Sequence, residues 1–171
     1  MVLKEHQYEF LDARENSKGG YTVVKEKESI AVIGAGSWGT ALALVIADNQ
    51  HEVRLWGHNQ NQINEINQNH TNEKYLPGIE LPSGIKGYSS IKEALAGIEI
   101  IILAVPTKAY REVLGQIEEA HDKPLTIVHV SKGIEPDSLL RISEMIEEVS
   151  SSEWLKDIVV LSGPSHAEEV S

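Results

Sequence analysis

The sequence predicts a doubly wound α/β fold, in which a mostly parallel sheet carries helices on both faces. Two observations lead to this prediction. Short apolar runs alternate with segments of helical periodicity from residue 29 onward. The first run also passes through three closely spaced glycines into small, helix-compatible residues, which is the strand–turn–helix unit of such sheets.

The glycine turn lies within Ser29–Ala43, which reads SIAVIGAGSWGTALA. In the dinucleotide fingerprint, the first glycine (here Gly34) allows the tight turn, and the second (Gly36) lets the backbone approach a pyrophosphate. The third, Gly39, lets the helix pack close to its strand. The stretch therefore predicts a Rossmann-type site, with the pyrophosphate at the helix N-terminus.

The other elements follow in order over one domain, residues 29–171. Near-continuous apolar runs predict parallel strands covered on both faces, at Ile30–Ile33, Val53–Trp56, Ile98–Val105, Leu125–Val130 and Ile158–Leu161. Helical spacing and capping residues predict helices at Trp38–Asn49, Asn61–Asn69, Ser90–Ala96 with a serine cap, Lys108–Glu119 capped by Thr107, and Leu139–Val149 capped by Asp137.

Both ends of the chain differ from this pattern. Residues 1–28 are expected to be either disordered or a loosely packed hairpin, in which Tyr8–Phe10 and Tyr21–Val24 flank a polar loop. At the other end, Ala167–Val170 resembles the first turn of a helix that stops at Ser171. We therefore expect a fragment of a longer protein.

Composition argues against several classes of protein. The chain has 15 basic and 26 acidic side chains, a net charge of −11, which disfavours nucleic acid and anionic membranes as partners. It has no cysteine, and its 7 histidines are scattered, so no metal site is predicted. No apolar run approaches a membrane span, and the first residues lack a secretory pattern, which favours a soluble cytoplasmic protein.

The end of the second strand bears on the cofactor. NAD-preferring sites place a carboxylate about 20 residues after the first glycine. Here the residues are Gly57, His58 and Asn59, without a carboxylate. A carboxylate would repel the 2′-phosphate of NADP, so its absence favours NADP. No arginine is placed to bind that phosphate, however, so NAD remains an alternative.

The predicted strands Ile98–Val105, Leu125–Val130 and Ile158–Leu161 end in three loops, at residues 106–107, 131–133 and 162–165. These loops are expected at one sheet edge, where ligands bind in open α/β sheets. Lys132 in the second loop could meet an anionic substrate or the nicotinamide end, and Ser165 in the third could donate to a phosphate. Tyr75 lies in a turn before Pro77, where it could cover a ring of the cofactor or serve only as a packing residue of the loop.

Taken together, these residues resemble bacterial NAD(P)-dependent glycerol-3-phosphate dehydrogenase from about residue 30 to residue 170. The resemblance rests on GAGSWGTALA at 34–43, LWGHN at 55–59, NEKYLPGI at 72–79, AVPTK at 104–108, SKGIE at 131–135 and LSGPSHAEEV at 161–170.

The resemblance implies interconversion of dihydroxyacetone phosphate and sn-glycerol 3-phosphate with NADP or NAD, which feeds glycerophospholipid synthesis. A homodimer of the full-length protein is compatible with the resemblance. It implies cofactor contacts at Gly34, Gly36, Ser37, Trp38, Gly39, His58, Asn59, Tyr75, Lys132 and Ala167. It implies contacts of the small-molecule substrate at Lys132, Gly163 and Ser165.

In that family the proton-transfer lysine lies beyond the SGPS motif, in a helical C-terminal domain. We therefore assign no catalytic residue here and expect this chain alone to be inactive. Two alternatives remain: the cofactor domain of a 3-hydroxyacyl-CoA or 6-phosphogluconate type dehydrogenase, and a non-catalytic nucleotide-sensing domain.

Overall fold

A computed structural model describes residues 12–15, 21–24, 27–136, 138–150 and 153–162. Its main body is a six-stranded sheet in the order β5-β4-β3-β6-β7-β8, and every neighbouring pair is parallel. The strands are β3 (Ser29–Ile33), β4 (Glu52–Trp56), β5 (Ile85–Tyr88), β6 (Ile100–Leu103), β7 (Leu125–His129) and β8 (Leu155–Val160). The predicted doubly wound fold is confirmed, and the order of the strands reverses between β3 and β6.

Helices cover both faces of this sheet. They are α1 (Ser37–Asp48), α2 (Gln60–Asn69), α3 (Ile91–Leu95), α4 (Tyr110–Ala120) and α5 (Ile142–Val149). Side chains of β3 alternate between two cores: Ile33 packs in one with residues of α3, α4 and α5, and Val32 packs in the other with residues of α1 and α2. Because both faces are buried, the strand had to be apolar at successive positions.

Strand β5 was missing from the sequence prediction. It occupies one edge of the sheet and pairs only with β4. Its sequence, IKGY, has one buried residue, Ile85, and includes a lysine and a glycine. An edge strand buries less of its surface, so its pattern lacks the continuous apolar run on which the other predictions depended.

Three helix starts test the predicted caps. Ser90 caps α3 as expected, because its hydroxyl accepts from the Glu93 N–H at 3.4 Å. The cap at Thr107 is wrong, since Thr107–Ala109 form a 3-10 turn and α4 begins at Tyr110. The start at Leu139 is also wrong, since α5 begins at Ile142. Leu139 is 69% exposed with φ of 60°, a left-handed conformation that interrupts a right-handed helix, and its predicted cap Asp137 lies outside the described residues.

The opposite edge also departs from the prediction. Strand β8 begins three residues before the predicted Ile158–Leu161 and ends one residue before it. None of its residues is fully buried, and Val160 is 56% exposed, so the expectation of a strand covered on both faces is wrong for β8 within the described residues.

Part of the leader forms a separate two-stranded sheet. Strand β1 (Asp12–Glu15) pairs antiparallel with β2 (Tyr21–Val24), whereas the predicted partner Tyr8–Phe10 lies outside the described residues. In the ranges that the structure covers, no helix is both long enough and apolar enough to cross a lipid bilayer.

Candidate functional site

The glycine turn connects β3 to α1 at the point where the strand order reverses. Gly34 has φ of 121°, and its N–H donates to the Trp56 carbonyl at 3.0 Å. A Cβ at this position would lie 2.5 Å from the Ala104 carbonyl oxygen. Both the backbone conformation and the close approach of Ala104, directly after β6, therefore require glycine here.

Gly36 and Gly39 have different structural roles. A Cβ on Gly39 would lie 1.8 Å from the Gly34 carbonyl oxygen and 3.3 Å from the Ala104 Cβ, so glycine lets α1 pack directly on the turn. A Cβ on Gly36 would have no atom within 4 Å. Glycine at 36 therefore leaves open space beside the backbone, where a ligand can approach.

The N-terminus of α1 is open towards that space. Gly36 is its N-cap residue, no side chain caps the helix, and its first turn has no acidic residue. The first N–H groups of a helix have no partner inside the helix, and the helix dipole places partial positive charge there. A pyrophosphate fits this position, and the half-buried Ser37 and Trp38 stand beside it as the first residues of α1.

A buried polar network holds the turn from behind, and sequence reasoning did not identify it. Asn72 is 0% exposed; its amide donates to the Ala35 carbonyl at 3.1 Å and to the Thr40 hydroxyl at 2.8 Å. Thr40 in turn donates to the Gly36 carbonyl at 2.8 Å. Gln62 of α2 donates to both Ala35 and Asn72. The signal was present, since Asn72 opens the quoted NEKYLPGI motif.

The same asparagine brings Tyr75 to the site. The Tyr75 N–H donates to the Asn72 carbonyl at 3.0 Å. The ring is half-buried, with the Lys74 ammonium 5.0 Å from its centroid. Tyr75 therefore belongs to a loop that is attached to the glycine turn, as a cofactor contact requires.

His58 and Asn59 follow β4 and are both exposed. The preceding Gly57 is buried beside the turn, and a Cβ on it would lie 3.0 Å from the Ala35 Cβ. The Asn59 side-chain oxygen accepts from two backbone N–H groups and so caps α2. Asn59 therefore has a structural role, and its amide nitrogen is the part that suits a ligand.

Lys132 is exposed in the loop after β7. Two inter-strand spacings, about 10 Å, separate β7 from β3 along the sheet edge. The preceding Ser131 ties this loop to the one after β6, because its hydroxyl donates to the Val105 carbonyl at 3.0 Å. The structure thus brings two of the three predicted loops together at one edge.

The third loop is only partly described. Strand β8 lies beside β7, and the Leu161 N–H donates to the His129 carbonyl at 3.0 Å. The predicted residues Gly163, Ser165 and Ala167 lie outside the described residues. Across the described part of the chain, no three His, Asp or Glu side chains are grouped to hold a metal ion.

Buried His129 is a second feature that the sequence prediction missed. Its side chain is 4% exposed, and neither ring nitrogen has a hydrogen-bond partner among the described residues. Burial lowers the pKa of His129, because the charged imidazolium is poorly solvated there. The ring is therefore neutral at the end of β7, directly beneath the Ser131–Lys132 loop.

Comparison with known proteins connects this geometry to a family. Residues 29–171 match the model described as NAD-dependent glycerol-3-phosphate dehydrogenase N-terminus. A glycerol-3-phosphate dehydrogenase [NAD(P)+] of Geobacillus kaustophilus is 64% identical over 143 residues, which cover 84% of this chain and 41% of the relative. A Bacillus cereus protein with the same name is 58% identical over 141 residues, covering 82% of this chain and 42% of the relative.

Solved structures give the same result. Glycerol-3-phosphate dehydrogenase from Coxiella burnetii is 37% identical with a TM-score of 0.74, over 84% of this chain and 43% of that one. The enzyme from Plasmodium falciparum is 26% identical with a TM-score of 0.70, over 84% and 43%. The chain spans about two fifths of the length of its curated relatives. It belongs to the family of NAD-dependent glycerol-3-phosphate dehydrogenase N-termini.

Proposed function

We propose that this chain is the cofactor-binding part of an NAD(P)-dependent glycerol-3-phosphate dehydrogenase. The observation that carries the proposal is the open space at Gly36, in front of an α1 N-terminus that no side chain caps. That space lies at the switch point of the sheet, which is the ligand position in this class of fold. Membership of the family supplies the identity of the ligand.

The α1 N–H groups would bind the pyrophosphate, with Gly34, Gly36 and Gly39 shaping the turn and Ser37 and Trp38 beside it. Tyr75, Lys132 and Ala167 would also contact the cofactor. Lys132, Gly163 and Ser165 would contact the substrate phosphate. The bound nicotinamide supplies hydride transfer, so the role of this chain is to orient that cofactor against the substrate.

The region after β4 favours NADP over NAD. Neither the segment Gly57–Asn59 nor the first turn of α2 contains a carboxylate that would repel a 2′-phosphate. His58 and the amide nitrogen of Asn59 are the groups that would meet it. The N-terminus of α2 adds partial positive charge at the same place.

In a polypeptide as long as the curated relatives, the reaction would interconvert dihydroxyacetone phosphate and sn-glycerol 3-phosphate for glycerophospholipid synthesis. A cytoplasmic location and a homodimer are part of the same proposal. This chain by itself would bind cofactor with negligible turnover, since none of its residues is assigned as the proton donor. The two alternative functions are not favoured by the family match.

A chimera tests the proposal. Residues 29–171 would be joined to the region that follows the matched part of the Geobacillus kaustophilus relative, and NADPH oxidation would be followed with dihydroxyacetone phosphate. We expect substrate-dependent oxidation that is lost in the same chimera carrying Gly36→Ala. Oxidation of NADPH with a 3-ketoacyl-CoA, but not with dihydroxyacetone phosphate, would contradict the proposal.

A further inference from the structure

The loop that presents Lys132 is held on both sides by consecutive residues of one helix. Tyr110 and Arg111 form the start of α4, which directly follows the loop after β6. Tyr110 contacts Ser131, immediately before Lys132, and Arg111 contacts Glu135, three residues after it. The first turn of α4 therefore connects the two loops that the candidate site brings together.

The first anchor is a chain of hydrogen bonds through Ser131. The Ser131 hydroxyl donates to the Val105 carbonyl at 3.0 Å, so its oxygen accepts from the Tyr110 hydroxyl at 2.9 Å. The Tyr110 oxygen also lies 3.2 Å from the Leu103 carbonyl. Burial raises the pKa of Tyr110 to about 12, which keeps the phenol protonated and able to donate at neutral pH.

The second anchor is a two-pronged ion pair. Arg111 Nε lies 2.7 Å from Glu135 Oε1, and Nη2 lies 2.7 Å from Oε2. Glu135 is 8% exposed and also accepts from the Ser138 hydroxyl. Hydrogen bonds from Arg111 hold the pKa of Glu135 at about 2, so the carboxylate is ionised throughout the neutral range.

Three residues stand between the anchors: Lys132, Gly133 and Ile134. Gly133 has φ of 114°, a conformation that glycine adopts readily, and a Cβ there would meet nothing within 4 Å. The bend is thus set by backbone conformation and by the anchors rather than by packing around Gly133. A backbone bridge from Ile134 to Arg141 also holds this stretch. Losing either anchor would therefore loosen the backbone that carries the lysine.

We propose that Tyr110 and Arg111 are positioning residues, which hold the Ser131–Glu135 loop so that the Lys132 ammonium reaches its ligand. The inference rests on the proposed role of Lys132 in the cofactor site. Neither residue touches the ligand; both act through the backbone of the loop. The ordering of the loop before binding lowers the conformational entropy that binding must remove.

A double-mutant cycle on this chain tests the inference, with NADPH as the probe. Lys132→Met should weaken NADPH binding about tenfold or more, as expected for a lost hydrogen bond to a charged group. Arg111→Met or Tyr110→Phe should each weaken it about threefold to tenfold. In the Lys132→Met background, Arg111→Met should change the affinity less than about twofold, because residues acting on one contact are not additive.

The control is Arg141→Met, which removes an ion pair of similar length, to Glu144 (2.6 Å), at the start of α5. Its backbone bridge to Ile134 does not depend on the side chain and stays in place. Arg141→Met should leave NADPH affinity unchanged. Glu135→Gln serves as a second variant, because it removes the ion pair to the loop and leaves the pair between Arg111 and the exposed Glu148 (3.2 Å) in place. It should reproduce the effect of Arg111→Met on NADPH affinity.

Two results would overturn different claims. A wild-type chain that binds no NADPH refutes the proposed function and the inference with it. A wild-type chain that binds NADPH, with equal losses from Arg111→Met whether or not Lys132 is present, refutes the positioning role alone, since a general structural effect is additive. Urea unfolding of each variant confirms that affinities are compared between folded proteins.

Discussion

Alanine at Gly39 should destabilise this domain because its Cβ has no room. That Cβ would lie 1.8 Å from the Gly34 carbonyl oxygen, when side-chain carbons rarely approach closer than 3.0 Å. The Gly34 N–H is bonded to Trp56, which restrains the turn, and the Ala104 Cβ at 3.3 Å restricts movement of α1. The helix and the turn must therefore separate by about 1.2 Å.

The expected magnitude follows from two opposing effects. Overpacking of this severity costs about 3 kcal/mol or more. Alanine is a better helix former than glycine by about 1 kcal/mol. We therefore expect Gly39→Ala to lower the free energy of unfolding by at least about 2 kcal/mol, measured from urea unfolding midpoints at constant m-value.

Gly36→Ala is the matched control. Its Cβ would meet nothing within 4 Å, and φ of −76° suits any residue, so the stability should change by no more than about 1 kcal/mol. The same methyl group would occupy the open space in front of α1, so NADPH affinity should fall about tenfold or more. Equal stability of Gly39→Ala and wild type would refute the close packing of α1 on the turn.

Three further predictions test other parts of the structure. Asn72→Asp should lower the free energy of unfolding by about 2–4 kcal/mol and weaken NADPH binding, because a carboxylate oxygen cannot donate to the Ala35 carbonyl. The control Asn67→Asp, on the exposed end of α2, should lower it by under about 1 kcal/mol and leave NADPH binding unchanged. Burial lowers the pKa of His129 in the folded state, so the unfolded chain binds a proton at higher pH than the folded chain does. The free energy of unfolding should therefore fall as the pH drops below about 6.5, by at most about 1.4 kcal/mol per pH unit. His129→Leu should remove this contribution, as measured by urea unfolding at acid pH. Arg54→Met should cost about 1 kcal/mol through loss of the bond from Arg54 Nη1 to the Ala96 carbonyl (2.7 Å), with unchanged NADPH affinity, as measured by the same titrations.

Each of these predictions can fail. Equal effects of the two asparagine variants would contradict the role of the buried amide behind the glycine turn. A His129→Leu chain with the wild-type pH dependence would show that other groups dominate acid unfolding. Weaker cofactor binding in Arg54→Met would mean that the end of α3 communicates with the candidate site.

Most of the fold could be predicted because its strands are buried on both faces. Strand β3 sends Ile33 into one core and Val32 into the other, so its sequence carries an unmistakable apolar run. The edge strands carry no such signal: β5 was missed, and the bounds of β8 were misplaced. Tertiary context also moved the start of α5, where Leu139 takes a left-handed conformation before the helix begins.

The candidate site was predictable where backbone conformation dictates the residue type. Gly34, Gly36 and Gly39 predict a turn of defined shape, and the structure shows a separate physical reason for glycine at each position. Side-chain networks were less predictable, because Asn72 meets Thr40 and Ala35 only once the chain has folded. Pairing across distant segments, as between Arg111 and Glu135, likewise leaves no local pattern to read.

The central claim is that the glycine turn binds the pyrophosphate of a nicotinamide dinucleotide. Titration of this chain with NADPH and, separately, with NADH, followed by nicotinamide fluorescence, tests it most directly. We expect saturable binding of both, tighter for NADPH, and the weaker NADPH binding given above for Gly36→Ala while the domain remains folded. A folded wild-type chain that binds neither dinucleotide would contradict the claim and reduce the glycine turn to a structural element.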